Sequence, residues 1–265
     1  MLKPTLLTLI LMSLMRISAL AQDTTWSKVK WKMTPDDEEY VAYETKLKTD
    51  SGLVVKVFYE NGVAAMTGLF VGDSLLVQSG VGKVFTSKGV LNHLRTFTNG
   101  KPNGEEVIYS DDGKEMLKGA NTNGEREGEW TSYYPSGKVA GKAVYKAGEQ
   151  TSATLYNEDG SVRPDRVFMR IADFAGGTAA YAKFIKKNVR YPDYDFDRRI
   201  QGTVVVLLKI SKTGQLMDVR IDQPAEKHLD AEALRALRLL HDFEPAILGG
   251  LPVDSWIKAP VVFKL

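Results

Sequence analysis

The sequence has no cysteine and only three histidines in 265 residues. Without cysteine there is no disulfide, no thiolate metal site, no thiol nucleophile and no N-terminal cysteine to carry a lipid. His93, His228 and His241 have no ligand-type neighbour at metal spacing along the chain, so they read as surface or helix-capping residues. The ten prolines are scattered, so no stretch forms a stiff Pro-rich spacer. Long apolar runs are also missing. The run at residues 6–15 is about half of the ~20 residues a membrane span needs. It follows Lys3, is closed by Arg16, and precedes Ala19-Leu20-Ala21, an A-x-A site. Residues 1–21 therefore read as a signal peptide cleaved after Ala21, in preference to a retained anchor. Cleavage would remove Lys3 and Arg16 and no acid, leaving 33 basic groups against 33 acidic ones. That balance argues against a nucleic-acid partner, which a basic surplus would announce.

Glycine, by contrast, is plentiful and regularly placed. The units "FYENG", "FTSKG", "YSDDG", "YYPSG" and "YNEDG" end at Gly62, Gly89, Gly113, Gly137 and Gly160, spaced by 27, 24, 24 and 23 residues. Gly100 with Gly104, and Gly124 with Gly128, mark a second turn in two units. Each unit reads as strand, Gly-turn, strand, Gly-turn. No Lys-Ser/Thr and no helix follows these glycines, so they set backbone geometry and do not cradle phosphate. Lone hairpins are marginal in water, and stacking lets neighbours cover each other. Phe58, Phe85, Tyr109, Tyr133, Tyr134 and Tyr156 are expected in the core between units. The pattern resembles MORN-type repeats, in the antitoxin-like form of many Bacteroidetes proteins.

The last hundred residues have another texture. Residues 176–190 suggest a helix capped by Thr178, with Tyr181, Phe184 and Ile185 inward, ended by Tyr191-Pro192. The run 202–210, "GTVVVLLKI", is apolar on both faces, as a covered strand would be. Gly214 turns the chain, and Met217, Val219 and Ile221 alternate with Asp218, Arg220 and Asp222 on the return strand. A helix follows at 229–240, with Asp230 as its cap and Ala233, Leu237 and Leu240 inward. Glu244-Pro245 and Gly249-Gly250 end it and open a loop. A final strand runs to Leu265.

These pieces together ("YP" at 191, "IQGTVVVLLKISKTGQLMDVRI" at 200, "LDAEALRAL" at 229, "FEPA" at 243 and "GLPV…APVVFKL" at the end) resemble the C-terminal domain of the TonB energy transducers of Gram-negative bacteria, in its Bacteroidetes version. Phe243 stands where that family often has Trp. The resemblance implies a mainly β plus α+β chain. Its expected domains are 22–164, an array of antiparallel β-hairpin repeats, and 165–265, a three-stranded antiparallel sheet with two helices on one face. It also implies a non-enzymatic periplasmic protein without cofactor or metal. Its partner would be an outer-membrane TonB-dependent transporter, whose N-terminal segment, the TonB box, adds to the last strand. If the leader is retained, the chain would be anchored in the inner membrane facing the periplasm, and the proton-motive complex there becomes a second partner.

Pro260 supports an edge position for the last strand, since proline gives no N–H to a ladder. The candidate peptide-binding residues are Asp254, Ser255, Trp256, Ile257, Lys258, Ala259, Val261 and Val262, of which Trp256, Ile257, Lys258 and Val261 are expected to shape the contact. An alternative is a secreted interaction module in which the repeats carry the binding and no energy is transduced. Asp193, Asp195 and Asp197 start like a calcium loop but lack its Gly and Glu, and read as a solvated acidic turn. An enzyme would require His228 or His241 to meet two carboxylates in space.

Overall fold

One kind of turn recurs along the chain. At each of Gly62, Gly89, Gly113, Gly137, Gly160 and Gly214, the glycine N–H donates to the carbonyl three residues back, and the residue at that position donates to the carbonyl four residues on. These glycines have φ between +79° and +88°, a region that L side chains avoid. Five of the six are the glycines that close the repeat units. The sixth makes the hairpin at residues 211–215, so both textures of the sequence turn their strands by one device.

The computed structural model describes residues 24–31, 40–59, 61–72 and 77–265; the expected signal peptide lies outside them. The described chain is mostly β, with three helices. It divides into two compact units, residues 1–114 with 120–126 and residues 115–119 with 127–265.

In the first unit, β1 (Thr24–Trp31), β2 (Tyr40–Thr49), β3 (Gly52–Phe58), β4 (Ala64–Val71), β5 (Val77–Phe85), β6 (Leu91–Thr98) and β7 (Lys101–Tyr109) each pair antiparallel with the next. Alternate residues of β3, Val55 and Val57, are buried and pack with Tyr59 and Ala65, as one covered face of a sheet requires. The Tyr59 hydroxyl donates to the Phe85 carbonyl 26 residues on, at 2.9 Å. In the second unit, Tyr134 does the same to Tyr156, at 2.8 Å. The tyrosines thus stitch the turn of one repeat to the turn of the next. The six aromatics expected in the core are half-buried.

The division between units runs through β8 (Glu115–Thr122) and β9 (Glu125–Tyr133). Within the second unit, β9 pairs with β10 (Val139–Lys146), and β10 with β11 (Glu149–Leu155). Trp130 is wholly buried, its ring lying where a Cβ on Gly119 would stand 2.3 Å away. Short strands follow: β12 (Met169–Arg170) and β13 (Asp173–Phe174). Next come helix α1 (Gly177–Asn188), the one-turn helix α2 (Asp193–Asp197), strands β14 (Gly202–Ile210) and β15 (Leu216–Gln223), and helix α3 (Lys227–Leu237). Four strands close the chain: β16 (Phe243–Glu244), β17 (Ala246–Leu248), β18 (Leu251–Val253) and β19 (Ser255–Phe263). Gly249-Gly250 opens no loop. It makes a tight β17–β18 hairpin, whose Gly249 carbonyl accepts from Ser132 at 2.5 Å.

β14 is the middle of a three-stranded sheet ordered β15-β14-β19. Val204, Val206, Leu208 and Ile210 of β14, Ala259, Val261 and Phe263 of β19, and Leu229, Ala233 and Leu237 of α3 form one buried core. Tyr181, Phe184 and Ile185 of α1 pack against it. Three local expectations are corrected. Thr178 does not cap α1; Gly176, at φ 86°, does. Asp230 does not cap α3; Glu226 does, accepting from the His228 N–H, while Asp230 accepts from the Ala225 N–H at 2.9 Å. Met217 does not face the core. Ile210 pairs with Leu216 and Lys209 with Asp218, so Met217 is the extra residue of a β-bulge and Leu216 takes the inward place.

Candidate functional site

Among the described residues, β19 pairs only with β14, so its other side is an edge. Its nine pairs with β14 run without a register shift. Pro260 sits opposite Val205 and has no N–H to exchange, so that pair is a non-hydrogen-bonded one. Pairs alternate along an antiparallel ladder. Trp256, Lys258, Pro260 and Val262 therefore turn their main chain away from β14, whereas Ser255, Ile257, Ala259 and Val261 turn theirs toward it. The Tyr181 hydroxyl donates to the Pro260 carbonyl at 3.0 Å, in agreement with that assignment. Burial pushes the Tyr181 phenol up to about 12, which keeps it a donor at neutral pH. At Pro260 the edge is therefore already engaged by α1. The stretch that presents outward main chain without this cover lies upstream, at Trp256 and Lys258.

The side chains sort the same way. Ala259 and Val261 are buried in the core, and Ile257 packs against it. Val261 was expected to shape a contact and cannot, because its side chain is enclosed and its main chain faces β14. Trp256, Lys258 and Val262 occupy the sheet's other face. Lys209 and Arg220 lie over the Trp256 ring, at 5.7 and 5.3 Å from its centre, two cation–π contacts. The Trp256 Nε1 and the Ser255 hydroxyl are both buried without a hydrogen-bond partner. Lys258 pairs with Asp222 at 2.8 Å. Asp254 precedes the strand and accepts from the Lys212 N–H at 2.7 Å, which ties the start of the edge to the β14–β15 turn.

Two ionisable clusters lie elsewhere. In the first unit, the Glu106 carboxylate is buried in the face of β7. It pairs with His93 at 2.9 Å and with Arg95, and accepts from Asn121 at 2.6 Å. Burial pushes the Glu106 carboxyl up, but the hydrogen bonds from His93, Arg95 and Asn121 outweigh it and hold the group at about 2. His93 was expected at the surface; it is half-buried against this carboxylate. In the second unit, Asp195 of α2 meets Glu226 and His228 at the start of α3, all three donor atoms lying within 4.8 Å of one another. Asp195 is wholly buried, so the expected solvated acidic turn is instead a helical turn that encloses its middle carboxylate. The His228 backbone N–H bonded to Glu226 holds that carboxyl below its usual range. Sequence spacing hid this cluster. The Glu-x-His pair at the helix start was visible, but its third member lies 31 residues upstream of Glu226. His241 stays exposed beside Asp242.

Residues 187–265 match the family model described as the Gram-negative bacterial TonB protein C-terminal. The C-terminal part of this chain is TonB-like. Residues 126–147 match the MORN repeat variant. Neither match is to a catalytic family. No curated protein matches the chain. Among solved structures, one titled "Crystal structure of GtfA/B complex bound to UDP and GlcNAc" is 11% identical, covering 52% of this chain and 26% of its own, with a TM-score of 0.22. This chain spans about a quarter of that one, and the likeness is too loose to bear on function. Among the described residues, no helix is long and apolar enough to cross a membrane.

Proposed function

We propose that the chain is a non-catalytic periplasmic TonB-like protein whose β19 edge takes up the N-terminal peptide segment of an outer-membrane TonB-dependent transporter by strand addition. The observation that carries this reading is the outward main chain of Trp256 and Lys258 on an edge strand, within residues that match the TonB family. That family is periplasmic and works with outer-membrane transporters. A visiting strand gains its affinity from main-chain hydrogen bonds and its specificity from pockets beside alternate residues. Trp256, contacted by Lys209 and Arg220, offers an aromatic wall, and its buried Nε1 is a donor to be satisfied.

The test uses a transporter N-terminal peptide and the full chain. A photo-cross-linker at position 258 should capture the peptide; one at Met217, on the opposite edge of the sheet, should not. Deleting residues 254–265 should abolish capture but would also strip a core strand. Lys258→Pro separates the two effects. Its N–H faces outward and is not used by the fold, so the variant should melt within a few degrees of the parent yet lose the peptide. Peptide binding that survives Lys258→Pro, or cross-links through Met217, would defeat the reading. Retention of binding by residues 22–164 alone would favour the repeats as the binding surface. Energy coupling would further need a membrane tether. N-terminal sequencing after fractionation decides that: a start at Gln22 rules it out, and an intact Met1 in the inner membrane restores it.

A further inference from the structure

Asp195 poses a problem that the peptide-binding reading leaves untouched. Its side chain is wholly buried, and neither carboxylate oxygen has a hydrogen-bond partner. An ionised carboxylate enclosed in this way costs several kcal/mol unless a cation or donors meet it. The group it faces is His228, whose Nδ1 stands 3.5 Å from Asp195 Oδ1 and 3.3 Å from Glu226 Oε2. We propose that Asp195, Glu226 and His228 form a binding site for one divalent transition-metal cation of the zinc class.

The geometry suits such an ion. Zinc bonds to imidazole nitrogen and carboxylate oxygen are about 2.0–2.2 Å long, so neighbouring donors in a tetrahedral shell stand about 3.3–3.5 Å apart. The two distances at His228 Nδ1 fall in that range. The donor set is one imidazole and two carboxylates, which suits zinc, cobalt or manganese. Calcium, which takes six to eight oxygens, fits it poorly. Two of the ligands are already oriented. Glu226 is fixed by the N–H of His228, 2.8 Å away, which it accepts as the cap of α3. The His228 ring packs against Tyr194, centroids 4.9 Å apart, and the Arg198 guanidinium covers Tyr194 at 3.8 Å. Such outer contacts hold a ligand in its binding rotamer.

Access is also graded. The side chains of His228 and Glu226 are 45% and 30% exposed, while that of Asp195 is 0% exposed. An ion arriving from solvent meets His228 and Glu226 first, with Asp195 enclosed behind them. The ion would staple α2 to the first turn of α3.

The experiment takes the full chain without an affinity tag, strips it with a chelator, and titrates it with zinc and with cobalt. Uptake of one ion per chain is expected, with a cobalt absorption band typical of a four-coordinate site and a higher melting temperature. His228→Gln and Asp195→Asn should each weaken binding by about tenfold or more, and His241→Gln should leave it unchanged. His228 lies at the surface, so its variant should fold even if the Asp195 one does not. If the parent takes up no ion, the cluster is a hydrogen-bonded helix cap and the proposal fails. It fails equally if His228→Gln binds as the parent does.

Discussion

Among the described residues each unit buries one carboxylate, and the two are treated in opposite ways. Glu106 is met by three donors, His93, Arg95 and Asn121. Asp195 is met by none; the Glu226 carboxyl lies beside it and a histidine ring stands 3.5 Å away. Strand register explains the first. Arg95 lies directly opposite Glu106 on β6, and His93 lies diagonally on the same face, within the reach of cross-strand pairs. A regular ladder thus delivers complementary charge to a fixed place. Asp195 sits on a one-turn helix with no ladder to supply partners. The contrast shows that burial of an acid is not one kind of event. Both oxygens of Glu106 are met by donors, whereas the Asp195 cluster is built to receive something.

The largest test of that contrast is Glu106→Gln. It keeps the shape and removes the charge that His93 and Arg95 face. Breaking a buried pair by neutralising one partner usually costs about 3–5 kcal/mol; with Arg95 and His93 partly exposed, about 2–4 kcal/mol is expected. Urea unfolding of parent and variant measures it. Acid adds a second handle. The carboxyl is held at about 2 in the fold, against 4.5 ordinarily, so the unfolded chain binds the proton more readily. The stabilisation is complete above the ordinary value and fades as pH falls through about 2. The parent should therefore lose more stability than Glu106→Gln on acidification. A loss under about 1 kcal/mol for the variant at neutral pH would place Glu106 among unimportant surface pairs and dissolve the comparison.

How much of this the sequence discloses depends on how far apart the causes lie. The turn glycines are legible because each acts on its own backbone. The inward faces of β14 and β19 are legible because alternation is local, and Pro260 marks the edge by chemistry of its own. Met217 misleads because a single bulge residue shifts the alternation without leaving a composition signal. Asp230 misleads as a cap because the helix begins earlier, capped by Glu226, and Asp230 falls within its first turn. The repeat aromatics misjudge depth: the pattern gives their spacing, but not that Trp130 and Leu117 fill the interior. Asp195, Tyr181 and their partners are separated by 31 to 79 residues, and nothing in their spacing predicts the meeting.

Asp195→Asn sharpens the same comparison with a smaller effect. In chelated protein the amide fills the carboxylate's space without its charge, and its N–H groups can donate to Glu226, so the variant should be at least as stable as the parent. With saturating zinc the parent should gain and the variant should not. Thermal melts in chelator and in zinc read both halves. A variant as damaging as Glu106→Gln in chelator would mean that Asp195 is held by donors after all.

The smallest effects come from the two histidines, and they should differ in kind. His93→Gln removes one hydrogen bond to a buried charge and should cost about 1–2 kcal/mol whether or not metal is present. His228→Gln removes an imidazole that is nearly half exposed and, in chelator, meets two acids and the Tyr194 ring. Exposed ion pairs contribute between nothing and about 1 kcal/mol, so that variant should fall at the low end, below about 0.5 kcal/mol, and separate from the parent only when zinc is added. Melts of the two variants against the parent, with and without zinc, give four losses, and the comparison requires that only the His228→Gln loss change with the ion. If His93→Gln were the metal-sensitive variant, Glu106 would be the ligand and Asp195 the closed network, reversing the roles assigned to the two acids.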